Sequence, residues 1–198
     1  MRLGITGGIG SGKTIVCRLF SILGVPVFSA DEVAGSVMEN NHSIIDLINS
    51  AVGKNVYKNG KLQRSELASL IFNNKNLLEK INSIVHPEVF RNFNEWVKTQ
   101  DFPYVIMEAA ILFESGADKY VDRILTVVAP EQERIRRVVE RNKVSEREVI
   151  ERIRNQYNEK FLTDRSDYII NNSGNNLIIP EVIRIHEEML KLSSLKKK

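Results

Sequence analysis

Gly7-Gly8-Ile9-Gly10-Ser11-Gly12-Lys13-Thr14 is the stretch that decides the fold. It matches the pattern G-x-x-x-x-G-K-[ST], in which each residue type has a physical task. Glycines let successive backbone N–H groups turn inward and approach an anion with no Cβ in the way. A helix opening near Lys13 points its positive end at the same place. The Lys13 ammonium can reach the β- and γ-phosphates, and the Thr14 hydroxyl can ligate Mg²⁺. The stretch reads as a phosphate loop for a nucleoside triphosphate, provided that it follows a strand and opens a helix.

Its surroundings meet that condition. The apolar run before it, residues 2–6, has the length of a buried strand. After it, Val16, Leu19, Phe20 and Leu23 fall on one helical face, with Gly24 placed to cap the helix. Residues 25–29 read as a second strand, 104–109 as a third, 123–128 as a fourth and 167–171 as a fifth. Pro130 sits where a first helical residue belongs, and Pro180 lies near the start of a final amphipathic helix. Short strands alternating with helices predict an α/β fold, a five-stranded parallel sheet covered on both faces. Residues 31–100 interrupt the alternation with mostly helical sequence, broken by a turn at Lys58-Asn59-Gly60-Lys61. Pro87 is expected to divide a helix there. The whole chain reads as a single domain: a core of about 1–30, 101–130 and 166–198, a helical insertion over about 31–100, and a charged segment over about 131–165.

That charged segment carries 10 Lys/Arg and 8 Asp/Glu. Ser145 followed by Glu148 has the form of a capping box. The segment fits either two solvated helices laced with ion pairs, or a lid that carries arginines to a phosphate.

Composition narrows the partners. The 198 residues are 42% hydrophobic and 27% charged, as in an ordinary globular chain. The net charge of +3 does not mark a nucleic-acid binder but suits an anionic small-molecule substrate. The one cysteine, Cys17, excludes an intramolecular disulfide and a cysteine-based zinc site and fits a reducing compartment. No run is long enough to span a membrane, and no signal peptide is visible, so the expected location is the cytoplasm. The oligomeric state is left open.

A phosphate loop serves kinases, switch GTPases and motor ATPases. A switch GTPase needs N-K-x-D and, after the third strand, D-x-x-G. Here Asn142-Lys143 is followed by Val144-Ser145, and the third strand ends Glu108-Ala109-Ala110-Ile111. A motor ATPase needs a longer chain. A small-molecule kinase needs only a core, an acceptor-binding insertion and a lid. Its acceptor hydroxyl needs a carboxylate near a strand end, and Asp31 follows the second strand directly. Asp31 fits a general base or a helix N-cap. Glu108 ends a strand too, and fits either a water-mediated Mg²⁺ partner or an exposed strand end.

These residues resemble the dephospho-CoA kinase family over nearly the whole length. Ile5 to Thr14 is similar to its phosphate loop, and Ala30-Asp31 to the end of its Asp-Ala-Asp motif. His86-Pro87 resembles its His-Pro motif, Leu112-Phe113-Glu114 the end of Pro-Leu-Leu-Phe-Glu, and Asn172-Ser173-Gly174 part of Asp-Asn-Ser-Gly. Arg137 and Arg141 sit where its lid arginines fall, and Gln156 matches a glutamine that follows them. The chain departs from the pattern at Ser29, Ala110, Asn142 and Asn171.

The resemblance implies a P-loop kinase fold and transfer of phosphate from ATP to the ribose 3′-hydroxyl of dephospho-CoA, giving coenzyme A and ADP. It implies that Asp31, Lys13, Arg137 and Arg141 are catalytic. Gly8, Gly10, Ser11, Gly12, Lys13, Thr14, Ile15 and Asn172 would hold ATP. Asp31, His86, Phe113 and Glu114 would hold the acceptor, and Thr14 with Glu108 would hold Mg²⁺. On the residues alone, another small-molecule or nucleotide kinase remains an alternative, as does an ATP-dependent regulatory or assembly protein without an acceptor. His42 and His186 are isolated and are assigned no function, while Cys17, Phe93 and Trp96 are read as packing residues.

Overall fold

The computed structural model describes residues 1–72, 74–174 and 176–195, with the Phe72 side chain left aside. The C-terminal Lys196-Lys197-Lys198 lies outside the described residues. In chain order the elements are β1 (Arg2–Thr6), α1 (Lys13–Ile22), β2 (Val27–Ser29), α2 (Ala30–Asn40), α3 (His42–Val52), β3 (Tyr57–Lys58), β4 (Lys61–Leu62), α4 (Arg64–Phe72), α5 (Lys75–Lys98), β5 (Val105–Glu108), β6 (Arg123–Val128), α6 (Glu131–Asn142), α7 (Glu146–Arg154), α8 (Glu159–Thr163), β7 (Tyr168–Asn171) and α9 (Ile178–Leu195). They form two compact units: residues up to Ser29 with those from Thr99 onward, and the insertion Ala30–Lys98.

The first unit is the α/β core. Its sheet runs β2-β5-β1-β6-β7, and every neighbouring pair is parallel. Parallel strands need covering on both faces, which is why the consecutive residues Tyr104, Val105, Ile106 and Met107, and Ile124 to Val127, are all buried with little alternation. Val16, Cys17 and Phe20 of α1 and Val182, Ile185 and Met189 of α9 complete the core at helical spacing. Helix α1 ends as its sequence predicts: Gly24 takes φ +84° and donates to Ser21 O at 3.0 Å. Because β1 is central and all five strands share one direction, their carboxyl ends lie along one edge of the sheet. The phosphate loop follows β1 at that edge.

The charged segment forms three helices, α6, α7 and α8, where two were expected. The extra helix has its own cap: the Asn158 side chain accepts from Phe161 N–H at 2.8 Å. The capping box at Ser145 and Glu148 forms, each side chain bonding the other residue's backbone N–H. A small core of Ile135, Val138 and Val149 joins α6 to α7, and Ile9 of the phosphate loop packs against it.

The insertion is helical apart from the β3–β4 hairpin, whose turn residues Asn59 and Gly60 both take positive φ. One expectation fails here. Pro87 does not divide the helix; it lies inside the continuous 24-residue α5. Ile81, Val85, Val89 and Phe93 recur every fourth residue on both sides of the proline and are all buried. That continuous apolar stripe outweighs the proline's missing N–H.

Candidate active site

Backbone geometry, more than side chains, shapes the phosphate loop. Gly7, Gly10 and Gly12 have φ of +149°, +81° and +98°, values that disfavour an L side chain. Space forbids one as well. A Cβ at Gly10 would overlap the backbone carbonyl of Arg134, and one at Gly12 would overlap the Asn172 amide. Gly12 also supplies the N-cap of α1 with no side chain to bond the helix's first N–H groups. The loop therefore delivers an uncapped helix start into a glycine-lined turn, a combination that favours an anion. Lys13, in the first position of α1, is 9% exposed, and its Nζ donates to Gly7 O at 2.9 Å across the loop.

Asn172, just after β7, is fixed from three sides. Its N–H donates to Val128 O at 2.8 Å and its Nδ2 to Ser11 O at 2.8 Å, while its carbonyl accepts from Arg137 Nη2 at 3.0 Å. Arg137 also bonds Glu133 at 2.9 Å and approaches Gly10 O at 3.5 Å. Arg137 is thus joined to the phosphate loop and to Asn172. Arg141, one turn further along α6, is exposed and bonds Asn142 Oδ1 at 2.9 Å.

On the other flank, β5 ends at Glu108, whose Oε1 lies 3.5 Å from the Thr14 hydroxyl. These are two hard oxygen donors of the kind that Mg²⁺ takes. Among the described residues, no three His, Cys, Asp or Glu side chains gather to hold a metal. Glu114 Oε1 accepts from Tyr157 N–H at 2.7 Å, and its buried Oε2 has no hydrogen-bond partner among the described residues. The Phe113 ring meets Phe161 edge-on at 5.8 Å. Cys17 lies on the buried face of α1. Burial, with the charge of Glu108, pushes its thiol well above the usual range against the opposing pull of Lys13, so it is held as an inert packing residue.

Asp31 and His86 belong to the insertion. Asp31 is the second residue of α2, inside its first turn, two residues beyond Ser29 at the end of β2. His86 is in α5, with its ring 6.1 Å from that of Phe90. Burial holds its imidazole below the usual range, which favours the neutral form.

One arginine escaped the sequence reading. Arg134 is 8% exposed, and its guanidinium lies against Gly8, where a Cβ would overlap Nη1. Among the described residues, its one ion pair is a 3.7 Å contact to the exposed Glu131, and its buried Nε has no hydrogen-bond partner. The signal was present: Arg134, Arg137 and Arg141 recur at helical spacing on one face of α6.

The family model for dephospho-CoA kinase matches residues 1–177. The chain belongs to the dephospho-CoA kinase family. The dephospho-CoA kinase of Bacteroides fragilis is 36% identical over 186 residues, 93% of this chain and 91% of the relative. Among solved structures, TT1252 from Thermus thermophilus has a TM-score of 0.82 at 32% identity, with 96% of each chain covered. Dephospho-CoA kinase from Campylobacter jejuni has a TM-score of 0.69 at 23% identity, covering 96% of this chain and 97% of its own, a likeness of fold. Membership of the dephospho-CoA kinase family makes the chain an ATP-dependent kinase, a transferase. It also rules out the regulatory or assembly protein without an acceptor.

Proposed function

We propose that this chain phosphorylates the ribose 3′-hydroxyl of dephospho-CoA with ATP, giving coenzyme A and ADP, in the cytoplasm. The observation that carries the proposal is the phosphate loop: its positive-φ glycines, uncapped helix start and buried Lys13 suit a triphosphate, in a chain that matches the family from residue 1 to 177.

In this proposal the Asp31 carboxylate accepts the proton of the 3′-hydroxyl. The oxygen forms a bond to the γ-phosphorus as the bond from that phosphorus to the β–γ bridging oxygen breaks, and ADP leaves. Gly8, Gly10, Ser11, Gly12, Lys13, Thr14 and Ile15, with the Lys13 ammonium, hold the phosphates and stabilise charge that moves toward the leaving β-phosphate. Arg137 and Arg141 add cations over the transferring group and help to exclude water, which would otherwise divert ATP to hydrolysis. Asn172 orients the nucleotide, and His86, Phe113 and Glu114 hold the acceptor. Thr14 and Glu108 are the residues that would hold Mg²⁺, which would neutralise phosphate charge during transfer.

A coupled assay for ADP tests the proposal with dephospho-CoA, a nucleoside monophosphate, shikimate or no acceptor. Turnover is expected with dephospho-CoA alone. Equal turnover with another acceptor, or none that depends on dephospho-CoA, would overturn it.

A further inference from the structure

Gln156 lies just beyond α7, 147 residues from the phosphate loop, yet its side chain reaches the loop's apex. Its Oε1 accepts from Ile9 N–H at 2.8 Å, and its Nε2 donates to Ala110 O at 3.0 Å. Ile9 is the apex of the loop after β1, and Ala110 belongs to the loop after β5, the neighbouring strand in the sheet. One amide therefore clips together two strand-end loops, the second of which begins just past Glu108. The two contacts also orient the amide, since a flipped group would face donor with donor and acceptor with acceptor.

The peptide between Gly8 and Ile9 is pinned at both of its polar atoms. Gly8 O accepts from Ser11 N–H at 3.0 Å, while Ile9 N–H is held by Gln156. This matters because Gly8, with no Cβ, leaves one side of that peptide free to turn. A flip here would replace an N–H by a carbonyl, reversing the local dipole beside a loop built for an anion. The surroundings of the clip are tied as well. The Ile9 side chain packs on the small core between α6 and α7, and Tyr157 N–H donates to Glu114 Oε1 at 2.7 Å.

We propose that Gln156 is a positioning residue of the phosphoryl-transfer site: its amide holds the Gly8–Ile9 peptide in the orientation that triphosphate binding needs and fixes the loop after β5 against it. The proposal rests on the loop being the ATP site. It also explains why the residue is a glutamine. Asparagine is one methylene too short to reach both partners, and glutamate can accept from Ile9 N–H but sets a carboxylate against the Ala110 carbonyl.

The test compares the parent protein with Gln156→Ala and Gln156→Glu. Four quantities are read: the exchange rate of the Ile9 amide by NMR, the ATP affinity with no acceptor present, kcat/KM for ATP at saturating dephospho-CoA, and KM for dephospho-CoA. In Gln156→Ala, Ile9 exchange should rise and ATP affinity fall by about tenfold, the scale of one lost hydrogen bond. The fall in kcat/KM should reach ~10- to 100-fold as the loop is misplaced. KM for dephospho-CoA should hold. In Gln156→Glu, which keeps the volume and the Ile9 acceptor, Ile9 exchange should stay slow while kcat/KM still falls. A merely structural role would lower Tm and leave the folded protein with parental ATP affinity and kcat/KM. That result, or unchanged Ile9 exchange in Gln156→Ala, overturns the proposal. A parent that does not turn over dephospho-CoA would refute the acceptor assignment, while the first two quantities would still decide the clip.

Discussion

Gly10→Ala isolates what close packing contributes to the phosphate loop. Gly10 has φ +81°, and a Cβ there would run into the backbone of Arg134, whose carbonyl it would overlap and whose Cα it would meet at 2.9 Å. Backbone cannot rotate away as a flexible side chain can, so the loop or the first turns of α6 must move. Gly24, in the same unit, is the matched control. Its φ is +84°, and its Cβ would meet only the Phe102 ring at 3.5 Å, an ordinary contact. Both substitutions carry the left-handed penalty of about 1–2 kcal/mol. Gly10→Ala adds overpacking of about 1–3 kcal/mol, so its total is about 2–5 kcal/mol. The second difference is functional. A shift of about 1 Å in a positioning element can reduce rate by ~100-fold. Urea denaturation and the ADP assay should show Gly24→Ala mildly destabilised and fully active per folded molecule. Gly10→Ala should be destabilised more and strongly impaired in kcat/KM for ATP. Equal denaturation midpoints, or parental activity in Gly10→Ala, would refute the steric reasoning.

Lys13→Ala should abolish turnover with the fold intact, because the ammonium acts on charge that develops in transfer; circular dichroism and single-turnover kinetics check it. Asp31→Asn should lower kcat by about 10²–10⁴. As a first-turn carboxylate of α2, it should lose at most about 1 kcal/mol of stability, read by denaturation. Arg137→Ala should lower kcat by about 10³ or more if the guanidinium clamps the transferring group, with Arg141→Ala as the comparison in the same steady-state assay. Acid should destabilise the protein through its half-buried histidines. His186 shares a 2.8 Å hydrogen bond with Tyr104 OH, and burial lowers its affinity for a proton below the ordinary value of 6.5 while Glu187 opposes. A lowered folded-state value means stability that is full above about 6.5 and is lost as pH falls through the folded value. Tm should fall on acidification from pH 7.5 to 5.5, and His186→Gln should flatten that slope.

Much of the fold was legible because its signals are local. The strand Arg123–Val128 has the bounds that its apolar run predicts, since a buried parallel strand is a continuous hydrophobic stretch. The hairpin turn at Asn59-Gly60, the C-terminal glycine of α1 and the capping box at Ser145 each depend on residues within a few positions. Pro87 was misread for the converse reason. Its rule is local, but the helix persists through packing of the buried stripe from Ile81 to Phe93, which only the assembled insertion supplies.

By itself, the sequence determined the phosphate loop, the alternation that builds the parallel sheet and the family to which the chain belongs. These rest on short spacings that carry their own physical meaning. The tertiary structure alone decided which distant groups reach the loop. Arg134 presses on Gly8, Asn172 takes the Ser11 carbonyl, and Gln156 takes the Ile9 amide. Arg141, on the same helical face as Arg137, ends exposed. Helical spacing gives a side chain's direction around its axis but not what the fold brings to meet it. Contacts spanning more than a hundred residues are set only when the sheet orders its strands and the helices pack around it.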